Sequence, residues 1–266
     1  MKSLLNKGIF YLFVLASCTP LILLLLLTIS ASWPYPRMMP KILSLNYIEY
    51  VFISNNHTFK AIICSLIIAL LTTLGTLLIA IPTARALTLY RFKGKNFFKT
   101  LVLLPLIVPT ITITTGIHIS MIRYGLSGTF LGVTIIHIIF TLPYAIKILI
   151  NVFEIVGDKY EKQASTLGAT SFQIFTGITI PMIMPGILSA SIISFIISLS
   201  QYITTFFIGG GEIITIPMLF IPYIQSGEIQ VASVYSLIFI IAALSSLVII
   251  EKIIRKYYSL QGLFYI

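Results

Sequence analysis

The stretch DKYEKQASTLGATSFQIFTGITIPMIMP, Asp158 to Pro185, is the longest run in the second half of the chain that is not plainly lipid-soluble, and apolar segments flank it on both sides. Asp158-Lys159-Tyr160-Glu161 has the form of a capping box, an acceptor side chain three residues ahead of a Glu, so a short helix is expected from Lys159. Gly168 is expected to end it, because glycine enters a left-handed cap without a Cβ clash. Thr170-Ser171-Phe172-Gln173 repeats the box and starts another helix at once. Ala164 and Gly168, one turn apart, leave a nearly bare face on the resulting knob, and a bare face lets another backbone come close. Pro181 and Pro185 mark the start of the next apolar span.

Working outward, composition sets the solvent. Hydrophobic residues make up 58% of the 266 and charged residues 9%, with a mean hydropathy of +1.06. A soluble domain carries about 25% charge, so most of this surface is expected to face lipid. Six spans follow from the apolar runs: 8–30, 61–83, 101–122, 129–150, 182–208 and 229–250. Leu15-Ala16-Ser17-Cys18 resembles a lipoprotein cleavage box, but Leu21 to Leu27 continue the apolar run, which reads as span one. Residues 32–58, with Trp33, Tyr35, Tyr47, Tyr50 and Phe52, are expected to form an external loop along the headgroup layer. Asn56-His57-Thr58 fits a glycosylation sequon that is expected to be inert. Cys18 and Cys64 lack metal-ligand spacing and are expected to be small buried hydrophobes.

A net charge of +10 raises the question of nucleic acid. The positions answer it. With both termini inside, thirteen of the seventeen Lys and Arg fall on the inner side, and only Arg37, Lys41, Lys60 and Arg123 fall outside. Such asymmetry is the positive-inside signature of membrane topology, and it puts the Gly168 knob in the cytoplasm. Gly94-Lys95 is no phosphate loop, because Leu89 sits where the first glycine is needed and Asn96 follows the lysine. No HExxH or GxSxG occurs, and His57, His118 and His137 lie in unrelated settings, so an enzyme is not expected. His118 and His137 are read as structural hydrogen-bonding groups.

Span three carries Pro105, Pro109, Thr112 and Thr115, which implies packing against protein or a cavity. In span five Ser191, Ser194, Ser198 and Gln201 recur at helical spacing on one face. Either interhelical hydrogen bonding or the lining of a translocation path accounts for such a stripe. Ser191, Ser194, Ser198, Gln201, Thr112 and Thr115 are the path candidates.

Gly168, nine further residues and Ile178-Thr179-Ile180-Pro181 resemble the cytoplasmic EAA loop of the membrane subunits of bacterial ABC importers. Lys162-Gln163-Ala164 stand where that pattern has Glu-Ala-Ala, Glu161 lies one position early, and Ile180 replaces Leu. The resemblance covers about Lys60 to Glu251, behind a first span and external loop (1–59) and ahead of a cytoplasmic tail (252–266). It implies an all-α integral membrane fold of about six transmembrane helices, the type I, MetI-like importer permease. It further implies half of the path for a small solute delivered by an extracytoplasmic binding protein, with a second permease subunit beside it in the bacterial inner membrane. In that family the elbow docks on a separate ATPase subunit, which binds the ATP, so the chain itself takes no cofactor. Glu161, Ala164, Leu167, Gly168, Ala169, Ser171, Ile178 and Pro181 are the coupling residues it implies. Residues 194–217 look most like the polyamine-type permeases, a group with relatives for thiamine, phosphonates and iron. Ser200-Gln201 stand where polyamine permeases place acidic residues, and a desolvated amine requires a carboxylate. The alternative is an ATP-independent secondary transporter or channel subunit, against which stands the near absence of carboxylates within the spans.

Overall fold

The computed structural model describes residues 2–259 apart from 35, 38, 55 and 56. Tyr35, Asn56 of the sequon and the tail beyond residue 259 therefore lie outside the described residues, as do the side chains at 2–10, 54 and 253–259.

The first helix, α1 (Lys2–Thr28), is one continuous rod that carries Pro20 inside it. Tyr11, Leu12, Phe13, Leu15 and Leu21 are all exposed along it, and so is Cys18. Cys18 thus corrects the expectation of a buried thiol, because this helix covers little of its own surface with the rest of the chain. Residues 30–54 are more ordered than a loop. Strand β1 (Ser30–Ser32) pairs antiparallel with β2 (Ile42–Leu43), followed by α2 (Asn46–Glu49) and a π-helical turn, Tyr50–Ser54.

Helix α3 (His57–Leu89) has 33 residues, about 50 Å at 1.5 Å per residue. That exceeds the roughly 30 Å hydrocarbon layer, so the helix extends into the headgroups or beyond. Span three is not one rod. Helix α4 (Lys95–Leu103) continues into a tight 3-10 turn, Leu104–Leu106, and then bends by 100° into α5 (Thr110–Arg123). Pro105 and Pro109 have no amide to donate, and Pro109 pushes Val108 away from helical geometry, so the backbone breaks between them.

Helix α6 (Phe130–Val156) starts where the Thr129 hydroxyl accepts the Gly132 amide and stops at Gly157, with φ +64°. The knob helices α7 (Lys159–Thr166) and α8 (Ser171–Ile174) follow, then a π-helical turn and α9 (Ile180–Ser200). Span five stops eight residues earlier than its apolar run, because Gln201 adopts an extended conformation (φ −72°, ψ 104°) and α10 (Ile203–Gly209) starts afresh. The segment between spans five and six holds a further helix, α11 (Ile216–Ser226), with Pro217 in its first turn where a missing amide costs nothing. The last helix is α12 (Ile229–Ser259). Among the described residues five helices are long and apolar enough to cross a bilayer, and six if the bent pair is one span, in agreement with the six expected.

The chain forms two units. In the first, Met1–Ile62 with Ile216–Ala242, the Tyr235 side chain is fully buried among Val51, Val231 and Val234. Its hydroxyl lies 3.1 Å from that of Thr58, which donates to the Val51 carbonyl, and Tyr223 stacks on its ring. Leu219, Phe220 and Tyr223 of α11 pack against this buried set. In the second unit, Ile63–Thr215 with Ala243–Ile266, α6 and α9 pack along their length. Small residues line this core, Ala80 and Ala84 from α3, Ala145 from α6, and Gly186 and Ala190 from α9, with Leu149 and Phe153 among them. Small side chains let helices approach in lipid, where no hydrophobic drive favours association.

Gly186 is a close point of the α6–α9 contact. A Cβ there stands 2.8 Å from a Val152 methyl and 3.1 Å from the Val152 Cβ. Gly186→Val is expected to cost about 1–3 kcal/mol through overpacking, read as a lower unfolding temperature in detergent. Val152→Ala in the same chain is expected to restore part of the loss. A double variant no more stable than the single one refutes this packing.

Candidate functional site

The elbow between α6 and α9 is built from caps and one ionic brace. Asp158 occupies the N-cap of α7 but makes no side-chain cap, so the first expected capping box does not form. Its two members go elsewhere. Asp158 takes the Lys162 ammonium at 2.5 Å, one turn along the same helix. That hydrogen bond holds the Asp158 carboxyl below its ordinary range, so the contact is complete above the usual carboxylate pKa and is lost as pH falls through the lowered one.

Glu161 reaches inward. Its Oε2 lies 2.6 Å from the Arg85 guanidinium on α3, and its Oε1 accepts the Thr179 hydroxyl at 2.6 Å. Thr179 is buried, and the Arg85 and Glu161 side chains are 27% and 15% exposed. Removal from water makes the pair more than a surface ion pair. One carboxylate therefore ties the elbow to the end of span two and to the base of span five.

Helix α7 closes at Gly168 (φ +86°). The Gly168 amide bonds to the Ser165 carbonyl and the Ala169 amide to that of Ala164, both at 3.1 Å. This is the double cap that a glycine at C′ makes possible. The second box forms as the sequence indicated: Thr170 accepts the Gln173 amide at 3.3 Å, and Gln173 Oε1 accepts the Thr170 amide at 2.9 Å. Past α8 the backbone passes without a break through the π-helical turn Phe175–Thr179 into α9.

The knob therefore has a rigid base and an apolar tip. Leu167 is 87% exposed and Phe172 76%, while Pro181 is buried and Ile178 half-buried. Gly168 and Ser171 are exposed, with Ala164 and Ala169 half-covered. A recess of about 480 Å³ opens behind the tip, lined by Arg85, Tyr90, Asp158, Lys162 and Ser171. Arg85 also lies 6.0 Å from the Tyr90 ring centroid. Arg85 and Phe172 were not read as site residues. Nothing local marks Arg85 as the partner of a side chain 76 positions away, whereas Phe172, an aromatic inside a capping box, was a readable signal.

The polar stripe of α9 divides. Ser191, Ser194 and Ser198 are buried within the chain. Ser191 donates to its own helix at Ile187, and Ser198 lies 2.9 Å from His137 Nδ1 on α6. The other ring nitrogen of His137 lies 3.1 Å from the Thr205 hydroxyl on α10, so one imidazole joins three helices. Gln201 stands apart from the buried serines. It lines a cavity of about 480 Å³ between the two helix breaks, with Pro105, Val108, Pro109, Tyr144 and Ser200. Irregular backbone at membrane depth is tolerated where it lines a cavity. Thr112 and Thr115 are exposed on α5, with Thr115 bonded to its own helix. His118 lies 3.4 Å from Ser127.

A helical membrane subunit with a braced, protruding elbow is a recognisable class, and comparison with known proteins agrees. The chain belongs to the family of binding-protein-dependent transport system inner membrane components, whose pattern matches residues 76–258; it is a permease subunit of an ABC importer. The spermidine/putrescine transport system permease protein PotC of Haemophilus influenzae is 25% identical over 213 residues, covering 80% of this chain and 82% of its own. The molybdenum transport system permease protein ModB of the same organism is 29% identical over 214 residues, 74% of this chain and 93% of its own. In fold, the chain matches a bacterial ABC transporter for import of the acidic polysaccharide alginate, with a TM-score of 0.71 at 16% identity over 96% of both chains. A second structure of a bacterial alginate transporter, in complex with pentasaccharide-bound periplasmic protein, gives 0.67 at 16% identity over 97% of both chains.

Proposed function

We propose that the 158–181 elbow is the handle by which a separate ATPase drives this permease, and that the chain forms half of the path for a small solute. The observation that carries the reading is the apolar tip, Leu167 and Phe172, exposed on a base that Glu161 locks to Arg85 and Thr179. A floppy loop dissipates a displacement, whereas this base passes it along α9 toward Gln201. Both termini lie in the cytoplasm, as the positive charge of the inner loops requires. ATP is bound by the partner subunit, a second permease completes the path, and an extracytoplasmic binding protein delivers the solute. The pentasaccharide-bound periplasmic protein in the second alginate structure supports that last point. Gln201 and the cavity at the two helix breaks form part of the path, while Ser191, Ser194 and Ser198 act as its inner scaffold, and Thr112 and Thr115 face the second permease.

Leu167→Asp tests the handle. Burying a leucine in a partner's groove contributes about 1.5–3 kcal/mol, so the variant is expected to lower co-purification of the ATPase subunit at least tenfold, with membrane abundance unchanged. Undiminished recovery of the ATPase defeats the proposal.

A further inference from the structure

We propose that a trough formed by the end of α3, by α4 and by α6 is a binding site for one anionic phospholipid, with its phosphate between Lys99 and Lys147. The inference rests on the membrane location of the chain and is independent of the coupling reading.

Helix α4 is bent by 100° from α5 and sorts its residues by face. At helical spacing Lys95, Asn96, Lys99 and Thr100 fall on one side, and Phe97, Phe98, Leu101 and Val102 on the other. Short basic amphipathic helices of this kind lie in the interface plane of a bilayer. Phe92, Phe97, Phe98 and Leu101 are exposed there.

Two crevices meet beneath this helix. One, of about 440 Å³, is lined by Pro82, Ala86, Leu87, Phe92, Phe98 and Val102. The other, of about 140 Å³, is lined by Leu87, Lys99, Val102, Ile146, Lys147 and Ile150. They share Leu87 and Val102, so they form one apolar trough with two ammonium groups at one end. Lys95 is occupied by the Thr88 and Tyr90 carbonyls, both at 3.0 Å. Lys99 has an acid only at 3.8 Å, in Glu154, and no ion pair to Lys147 occurs among the described residues. Two such ammoniums beside hydrocarbon call for an anion. The exposed Arg91 and Lys93 flank Phe92, which lines the larger crevice.

Charge complementarity and the apolar floor select the occupant together. A free phosphate leaves the trough uncovered, and a neutral lipid leaves the lysines unmatched. An anionic phospholipid satisfies both, its headgroup on the lysines and an acyl chain along Leu87 and Val102. Basic pockets between membrane helices on the cytoplasmic side bind anionic headgroups in this way.

The test titrates phosphatidylglycerol, and phosphatidylcholine as reference, into the purified assembled transporter and reads bound lipid by native mass spectrometry. Lys99→Gln/Lys147→Gln is expected to weaken phosphatidylglycerol binding about tenfold or more, while Lys159→Gln/Lys252→Gln, which removes equal charge elsewhere, leaves it unchanged. Val102→Trp, which fills the trough with both lysines intact, is expected to weaken it as well. Wild-type binding in the Lys99/Lys147 or the Val102 variant, or an equal loss in the control pair, overturns the proposal.

Discussion

Glu161→Ala is expected to lower solute uptake at least tenfold while the protein still inserts in the membrane. The carboxylate is shared by Arg85 and Thr179, so its removal leaves a half-buried guanidinium without its acceptor and the buried Thr179 hydroxyl with only the Ile174 carbonyl at 3.4 Å. Losing one partner of a charged hydrogen bond costs about 1.5–3 kcal/mol, and the 27% exposure of Arg85 keeps the effect below that of a fully buried pair. The elbow then opens locally, and a displacement applied at its tip, as proposed for the ATPase, no longer reaches α9. Glu161→Gln keeps an acceptor for Thr179 and is expected to fall between wild type and Glu161→Ala. Adding Arg85→Ala to Glu161→Ala removes the stranded charge and is expected to recover part of the stability. Uptake by Glu161→Ala within twofold of wild type refutes the brace.

Gly168→Asp is expected to abolish uptake and again to spare insertion. Nothing lies within 4 Å of a Cβ built at Gly168, so no clash with a neighbour arises. Two other effects act. The φ of +86° costs an L-residue about 1–2 kcal/mol, and the new carboxylate stands beside Leu167 on the surface proposed to dock. Gly168→Asn separates them, since asparagine meets the left-handed region about as aspartate does but adds no charge. The Asn variant is expected to retain a substantial part of the uptake. Equal loss in both variants assigns the defect to backbone strain, and normal uptake in Gly168→Asp removes the elbow from the mechanism.

What was legible in the sequence followed the range of the interactions. The Thr170–Gln173 box and the Gly168 cap are closed within six residues, so their chemistry is visible in the letters, and both form. Asp158-Lys159-Tyr160-Glu161 looked equivalent and is not. Its acceptors are drawn to Lys162, Arg85 and Thr179, and a charged partner outcompetes a neutral cap amide. The serine stripe of span five was readable as a stripe. Whether it faced a cavity or another helix depended on where α6 packs, and Gln201, at an unannounced helix break, lines a cavity.

By itself, the sequence determined membrane embedding, about six spans and a glycine-hinged elbow, because hydropathy and caps are local or additive quantities. Tertiary structure alone decided that Glu161 is a brace and that His137 joins three helices. Each of these rests on contacts between residues tens of positions apart, and no local pattern specifies which distant side chain arrives.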